Sequence, residues 1–263
     1  MDPVEALASL WDPIIALAEG IDAETSNVPT PCPAWTVHDL LAHIAGLQTS
    51  LDGAQQPPLP DGWAPDPLLG PIDQLMATHV AARRGWTRGQ LMDELHAARA
   101  GAIAAVTAYD PGASVPGPMG QTTAERQLQL RCMDLWVHLW DLCAAVGRPI
   151  DVEEPLPGAL IGHQLALRGA PRLFSTMIGM AAGATMRLAL REPLVFDSVL
   201  TVVDGRGRFA DDADPGDCAV RAAPAGHTLL VAGRSTPESL RDQGLLDWSG
   251  HLGEDYVRKA RLF

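Results

Sequence analysis

Residues Arg131–Leu142 read RCMDLWVHLWDL, and this stretch carries ionisable side chains inside an otherwise apolar helical pattern. Asp134 and His138 are four residues apart, and at about 3.6 residues per turn both side chains lie on one face of the predicted helix. A carboxylate and an imidazole in that arrangement can converge on one cation. The spacing therefore predicts part of a metal site, which needs at least one more ligand from another segment.

The best candidate for that ligand is His43, which lies in the helix-like run Thr36–Gly46. Two imidazoles and one carboxylate with open coordination positions suit a catalytic metal rather than a structural one. A single histidine on an apolar helix face is more often a core residue than a ligand. The prediction for His43 therefore depends on its joining the pair on the other helix.

A carboxylate among large apolar side chains must be paired, hydrogen-bonded or bound to metal. For Asp134 the alternatives to metal are an ion pair with Arg131 or Arg126, or a hydrogen bond to His138. Asp141, three residues beyond that histidine, is either an outer group that orients the imidazole or a surface acid. The residues alone leave these alternatives open.

The composition describes a folded protein and limits its partners. The chain has 263 residues, 47% of them hydrophobic, which is enough for a sizeable core. Its 19 basic and 32 acidic residues give a net charge of −13, which repels nucleic acid and anionic membrane surfaces. No signal peptide and no membrane-spanning run of about 18 apolar residues is apparent. These features predict a cytoplasmic protein that binds neither nucleic acid nor membrane.

The four cysteines are scattered and form no close pair of the kind seen in zinc ribbons or redox motifs. We expect them to be reduced thiols. Cys132 and Cys143 fall within the apolar pattern of one helix, where a cysteine is more often a small core residue than a nucleophile. Neither is predicted to be catalytic.

The first part of the chain is predicted to be helical, with caps at Thr36 and Thr87. Asp52–Pro71 is rich in proline and glycine and predicts a long loop, which could be a lid, and Asp110–Gly120 predicts a second linker. The five predicted helices are Val4–Glu19, Thr36 to about Leu51, Ile72–Arg84, Thr87 to near Tyr109, and Thr123–Val146.

The pattern changes near Asp151, which divides the chain into predicted domains at 1–150 and 151–263. After this point short apolar strands alternate with turns such as Asp204–Gly207, so the second domain mixes α and β structure. Leu156–Arg168 and Leu173–Gly183 are predicted to be helices. The predicted strands are Met186–Leu190, Leu194–Val203, Cys218–Ala222 and Leu245–Ser249. The other predicted helices are Ala225–Ala232, Pro237–Arg241 and Glu254–Arg261.

Two segments, Pro31–Gly46 and Asp134–Leu142, closely resemble the signature segments of the mycothiol-dependent maleylpyruvate isomerase family, in the same order and at similar spacing. The resemblance implies an α+β protein. Its N-terminal domain would be a DinB-like, metal-binding four-helix bundle. Its smaller C-terminal α/β domain would be similar to sterol carrier proteins, so the likeness extends over the whole chain.

The family's metal ligands, carried over residue by residue, fall on His43, Asp134 and His138. In the family these ligands bind a divalent metal that is usually taken as zinc, so the resemblance implies such a metal in this chain. The family also has a substrate-binding arginine in an Ala-Gly-Arg context, and Ala232–Arg234 looks like its counterpart. The resemblance thus implies a catalytic, substrate-binding role for Arg234.

This chain departs from the family pattern at two places. The family carboxylate is glutamate, whereas Asp134 is shorter by one methylene group. A second substrate-binding arginine of the family lies in the helix after the long loop, and Ile72–Val80 contains no arginine.

The function implied by the resemblance is a mycothiol-dependent isomerase or thiol transferase acting on a small anionic substrate. A metal-activated thiolate would add to a cis double bond, and rotation and elimination would give the trans product. The alternative is a metal-binding or small-ligand-binding sensor or carrier without turnover. Bundles of this type often form homodimers, and the sequence leaves that alternative open.

Overall fold

The computed structural model describes residues 1–117, 120–148, 150–151 and 156–262. The chain divides into two compact units, one made of residues 1–150 with 156–158, and the other of the described residues from 159 onward with residue 151. The first unit is mainly helical and the second contains a five-stranded sheet. The predicted α+β class is confirmed.

The first unit contains five helices, and four of them form the bundle. Helices α1, α2, α4 and α5 pack against one another around an apolar core, and α3 packs on α2. Within the described residues, no helix is long and apolar enough to cross a membrane. The helices are α1 (Pro3–Glu19), α2 (Val37–Leu51), α3 (Pro71–Ala81), α4 (Arg88–Thr107) and α5 (Ala124–Ala145).

Side-chain caps begin the helices that build the site. The Thr36 hydroxyl accepts a hydrogen bond from the Asp39 backbone N–H at 3.2 Å, and the Asp39 carboxylate accepts one from the Thr36 N–H. Thr87 and Gln90 form the same reciprocal box at the start of α4, and Thr123 caps α5. The three predicted starting points are confirmed, because these side chains satisfy N–H groups that have no partner within the helix.

The prediction of an irregular linker over Asp110–Gly120 is wrong in part. Strands β1 (Ser114–Gly117) and β2 (Gly120–Thr123) form an antiparallel pair. Pro116, opposite Gln121, is tolerated because each strand of a two-stranded ribbon has a free edge. Proline and glycine therefore mark a short edge pairing here, which leads directly into the cap of α5.

Helix α6 (Pro157–Arg172) belongs to the second unit from Ala159 onward, and this unit contains a sheet in the order β5-β4-β3-β6-β7. Strands β3 and β6 are parallel, and the other neighbouring pairs are antiparallel. The predicted hairpin at Asp204–Gly207 joins β4 and β5. The remaining elements are β3 (Thr185–Leu190), β4 (Phe196–Val203), β5 (Arg206–Phe209), β6 (Ala219–Ala222), α7 (Pro224–Val231), α8 (Pro237–Asp242), β7 (Leu246–Ser249) and α9 (Gly250–Lys259).

The predicted helix over Leu173–Gly183 is wrong beyond its first turn. Only Leu173–Met177 is helical, as a π-helical turn that continues α6. Gly179 and Gly183 then take φ values of 79° and 82°, in the left-handed region. A right-handed helix cannot contain that conformation, and glycine adopts it without steric cost.

Two buried histidines form hydrogen bonds inside the second unit. Nδ1 of His163 lies 2.8 Å from the Thr228 hydroxyl, and Nε2 of His227 lies 2.9 Å from the Tyr256 hydroxyl. Burial lowers the pKa of His163 to about 3, with a further contribution from His227, and lowers the pKa of His227 to about 4. Both imidazoles are therefore neutral in the folded protein at pH 7.

We expect acid to destabilise the protein through these two imidazoles. Their pKa values in the folded protein lie below the unfolded value of about 6.5, so the stabilisation is complete above that pH and is lost as the pH falls toward 4. Because two protons are taken up on unfolding, the free energy of unfolding should change with pH by a slope approaching about 2.7 kcal/mol per pH unit. Urea titrations at several pH values measure this slope. A His163→Gln/His227→Gln variant with an undiminished slope would contradict the assignment.

Candidate metal centre

Three predicted ligands from two helices come together inside the bundle. His43 lies on α2, and Asp134 and His138 lie one turn apart on α5. Oδ1 of Asp134 is 3.7 Å from Nε2 of His43 and 3.5 Å from Nε2 of His138. The two imidazole rings meet edge to face with centroids 4.8 Å apart. The three side chains thus direct one atom each toward a common point.

These separations suit a single metal ion. Ligand atoms at about 2.0–2.1 Å from a tetrahedral centre lie roughly 3.3–3.5 Å from one another. The three candidate ligand atoms all lie within 4.8 Å of one another, and the two carboxylate distances are close to that spacing. The shorter aspartate therefore reaches both imidazoles without an extra methylene group.

His43 offers an independent sign that something binds here. The residue is only 2% exposed, and neither of its ring nitrogens has a hydrogen-bond partner in the described chain. Burying a polar atom without a partner costs about 1–3 kcal/mol. A cation at the common point would satisfy Nε2 of His43, so the donor set fits a divalent metal.

Asp134 uses its two oxygens differently. Oδ2 accepts a 2.6 Å hydrogen bond from Nη1 of Arg131, three residues earlier on α5, while Oδ1 faces the two imidazoles. The ion pair that the sequence offered as an alternative to metal therefore coexists with a metal-ligand geometry. By holding Oδ2, Arg131 fixes the direction of the other oxygen.

The buried Asp141 orients the second imidazole from the opposite side. Its Oδ2 accepts a hydrogen bond from Nδ1–H of His138 at 3.0 Å and lies 3.5 Å from Sγ of Cys32. Asp141 is fully buried, so the surface-acid alternative is wrong. A carboxylate on Nδ1 leaves Nε2 available as a ligand, which is the usual outer arrangement at metal-binding histidines.

Charge coupling controls the protonation of the group. Burial alone would raise the pKa of Asp134, but His138, His43 and Arg131 hold it well below its usual value. Burial alone would lower the pKa of His138, but the carboxylates of Asp134 and Asp141 raise it well above 6.5. Burial lowers the pKa of His43, and the nearby Asp134 carboxylate opposes that shift. The raised pKa of His138 means that this imidazole holds a proton at neutral pH, which a divalent cation would have to displace in order to bind.

Trp35 forms an apolar wall beside the imidazoles. Its ring centroid is 4.9 Å from that of His43 and 6.4 Å from that of His138. The preceding loop is shaped by its prolines and by Ala34, whose φ of 64° is unusual for a residue with a Cβ. The backbone N–H of Trp35 closes the turn by donating to the Cys32 carbonyl. The proline-rich segment therefore positions the Trp35 ring beside the candidate site.

A second group that could hold a metal overlaps the first. Cys32, His138 and Asp141 also place one ligand atom each within 4.8 Å of one another. This group would use Nδ1 of His138, which already donates to Asp141. The first group leaves those hydrogen bonds in place and also gives His43 a partner, so the geometry favours it.

The structure places Arg234 in the second unit, just after α7. The residue is half-buried, and its Nη1 donates to the Ala232 carbonyl at 3.0 Å. The intervening Gly233 has φ of 69°, which forms the turn that the Ala-Gly-Arg sequence requires. Its predicted substrate contact stays a prediction.

The sequence profile of one protein family, described as the mycothiol maleylpyruvate isomerase N-terminal domain, matches residues 7–143. The match covers more than half of the chain and includes both segments that supply the three candidate ligands. The chain belongs to this family. The candidate centre therefore lies in a domain whose family is named after a mycothiol-dependent isomerase.

Known proteins extend the comparison. Uncharacterized proteins from two strains of Mycobacterium tuberculosis, CDC 1551 / Oshkosh and ATCC 25618 / H37Rv, are each 31% identical to the chain over 180 residues, which is 65% of this chain and 86% of theirs. The crystal structure of the mycothiol-dependent maleylpyruvate isomerase is 17% identical, with a TM-score of 0.57. A histidine-to-alanine mutant of that enzyme is 16% identical, with a TM-score of 0.56. Each alignment covers 89% of this chain and 88% of the solved chain, so the two-part fold is shared.

Proposed function

We propose that this protein is a metal-dependent and mycothiol-dependent enzyme acting on a small electrophilic anion. The reaction is cis–trans isomerisation or transfer of the thiol to the substrate. The observation that carries the proposal is the convergence of His43, Asp134 and His138 inside the bundle of a chain from this family. Three protein ligands leave open positions, which favours catalysis over a structural role.

In this proposal, Nε2 of His43, Nε2 of His138 and Oδ1 of Asp134 hold the metal, with zinc as the preferred ion. When bound, a divalent cation lowers the pKa of a coordinated thiol and so supplies a thiolate near neutral pH. Arg131 and Asp141 keep the carboxylate and the imidazole in their binding orientations. Trp35 excludes water from one side of the ligands.

The two cysteines on α5 are poor candidates for the nucleophile. Burial raises the pKa of Cys132 to about 12 and also raises that of Cys143. A thiol must lose its proton to attack, so these two side chains are unreactive at neutral pH. The proposal therefore takes the thiol from a cofactor, and mycothiol is the cofactor named for this family.

The remaining parts of the proposal come from the resemblance and from the sequence pattern. Arg234 would bind a substrate carboxylate through its planar guanidinium group, and the Asp52–Pro71 loop would cover the reacting groups. The protein would act in the cytoplasm, where its four cysteines stay reduced. Self-association as a homodimer is a further alternative that sizing of the purified protein decides.

A thiol-dependence assay tests the proposed function. Zinc-loaded protein should isomerise or thiolate an activated cis-unsaturated carboxylate with mycothiol, and should be inactive without thiol or after chelation. A variant with Cys32→Ser and the other three cysteines changed to alanine should keep turnover within about threefold, because the thiol belongs to the cofactor.

Three other results would contradict the proposal. Turnover without added thiol would exclude the mycothiol-dependent reaction. Loss of turnover in a folded Cys132→Ala or Cys143→Ala variant would point to a protein nucleophile. Tight metal binding without turnover with mycothiol, cysteine or any other thiol tried would favour the sensor or carrier alternative.

A further inference from the structure

Arg131 is a buried cation, and two of its three nitrogens have no hydrogen-bond partner among the described residues. It is 5% exposed, and its Nη1 donates to Oδ2 of Asp134. Its Nε and Nη2 are buried and have no hydrogen-bond partner among the described residues. These two N–H groups lie side by side on one edge of the guanidinium, which is the edge that binds a carboxylate with two parallel hydrogen bonds.

The neighbouring acids do not occupy this edge. Asp52 is near enough to act on Arg131 electrostatically, but its carboxylate accepts a 2.8 Å hydrogen bond from Gln48. The guanidinium keeps its positive charge because arginine is not deprotonated in proteins. A buried charged edge without an acceptor is costly, which argues that an anion completes it.

Two further buried side chains with unsatisfied polar atoms accompany Arg131. Trp11 on α1 is fully buried, its ring centroid lies 5.9 Å from the Arg131 guanidinium, and its indole N–H has no partner among the described residues. His79 on α3 is 1% exposed, and neither ring nitrogen has a partner within the same part of the chain. Three helices therefore contribute buried hydrogen-bonding groups that the described chain does not pair.

The position of His79 follows from close packing of α3 on α2. A Cβ added to Gly46 would lie 2.9 Å from the Cβ of His79 and 2.7 Å from Nη1 of Arg83, so only glycine allows this approach. Gly46 is three residues after His43 and so lies on the same side of α2. His43 and Arg131 both contribute to the lowered pKa of His79, so His79 lies within electrostatic range of the candidate metal centre and of Arg131. Burial lowers the pKa of His79 to about 4, so it offers one N–H donor at neutral pH.

We propose that the Nε/Nη2 edge of Arg131, with His79 and Trp11 beside it, is a carboxylate-binding subsite next to the metal ligands. It takes one carboxylate of the substrate, and the identification of that anion as substrate rests on the proposed function. Arg83 cannot take this role because Glu94 already occupies its guanidinium.

The subsite can be tested without the metal or any reaction. Maleate is titrated calorimetrically into metal-free full-length protein, into Arg131→Gln and Arg131→Lys variants, and into an Arg126→Gln control. Arg126 is exposed on the same helix, so the control makes the same charge change away from the subsite. Loss of a bidentate charge-assisted pair should weaken binding at least about tenfold in both Arg131 variants. The control should stay within about twofold.

A crystal structure of wild-type protein with maleate gives a second readout that needs no variant. A carboxylate bound by Nε and Nη2 of Arg131 supports the subsite. Ordered water alone on this edge, or maleate affinity unchanged in the Arg131→Lys variant, overturns it. Maleate binding at Arg131 without thiol-dependent turnover would keep the subsite and reject the proposed function. Thiol-dependent turnover by the wild type, together with unchanged maleate affinity in the Arg131 variants, would keep the proposed function and reject the subsite.

Discussion

Replacing His43 with alanine will remove the bound metal from the protein and abolish thiol-dependent turnover without unfolding the bundle. In the proposed centre His43 is one of three protein ligands, and even outer-sphere partners at metal sites are worth about 10- to 100-fold in metal affinity. The loss in affinity should therefore exceed about a hundredfold. Elemental analysis after dialysis against metal buffer measures the metal content, and Asp134→Ala and His138→Ala should give the same result.

The exposed His96 on α4 provides the matched control, because its imidazole pairs only loosely with Glu19 at 3.7 Å. The His96→Ala variant should retain wild-type metal content and turnover. A folded His43→Ala variant that binds metal as tightly as the wild type would exclude His43 as a ligand. Unchanged turnover in that variant would mean that the chemistry lies elsewhere.

Replacing Arg83 with methionine will lower the free energy of unfolding by about 3–5 kcal/mol, the cost of removing one partner of a buried ion pair. Nε and Nη2 of Arg83 donate to the two carboxylate oxygens of Glu94 at 2.5 and 2.6 Å, and Nη1 donates to the His79 carbonyl. The Arg83 side chain is fully buried and that of Glu94 is 13% exposed. Glu94 also accepts from Thr49, so the pair joins α4 to α2 and to the end of α3.

Urea denaturation of the Arg83→Met variant measures this effect, and an Arg99→Met variant is its control. Arg99 also lies on α4 and pairs with Asp12 at 2.7 Å, but both side chains are exposed. Exposed pairs contribute about 0–1 kcal/mol, so the control should change stability little. A loss below about 1 kcal/mol for Arg83→Met would show that Glu94 finds another partner or water. Removing Glu94 as well should recover part of the lost stability, since no uncompensated charge then remains.

Local patterns predict the bundle well because the relevant signals lie within a few residues of one another. Thr36 with Asp39 and Thr87 with Gln90 fix helix starts through short-range hydrogen bonds. Asp134 and His138 share a face because helix geometry requires it. The same reasoning failed at Leu173–Gly183, where an apolar texture suggested a helix but glycine φ values end it.

Contacts across helices set the parts of the candidate site that the sequence does not reveal. The sequence around Arg131 does not reveal that one edge of its guanidinium has no acceptor among the described residues. The burial of Asp141 and its contact with Cys32, which is 109 residues away, likewise depend on tertiary packing. His79 has no partner at ligand spacing in the sequence, and its position depends on the missing side chain of Gly46. Such features follow from how helices pack rather than from periodicity.

X-ray absorption at the zinc edge tests the central claim most directly, using zinc-loaded wild-type protein with no added thiol. We predict nitrogen and oxygen scatterers only, at about 2.0–2.2 Å, with the outer-shell signature of two imidazoles. The signal of one imidazole should disappear in any zinc that the His43→Ala variant retains. A sulfur scatterer at about 2.3 Å would place the ion with Cys32, His138 and Asp141 instead. That result, or a spectrum of fully hydrated zinc, would contradict the proposed centre.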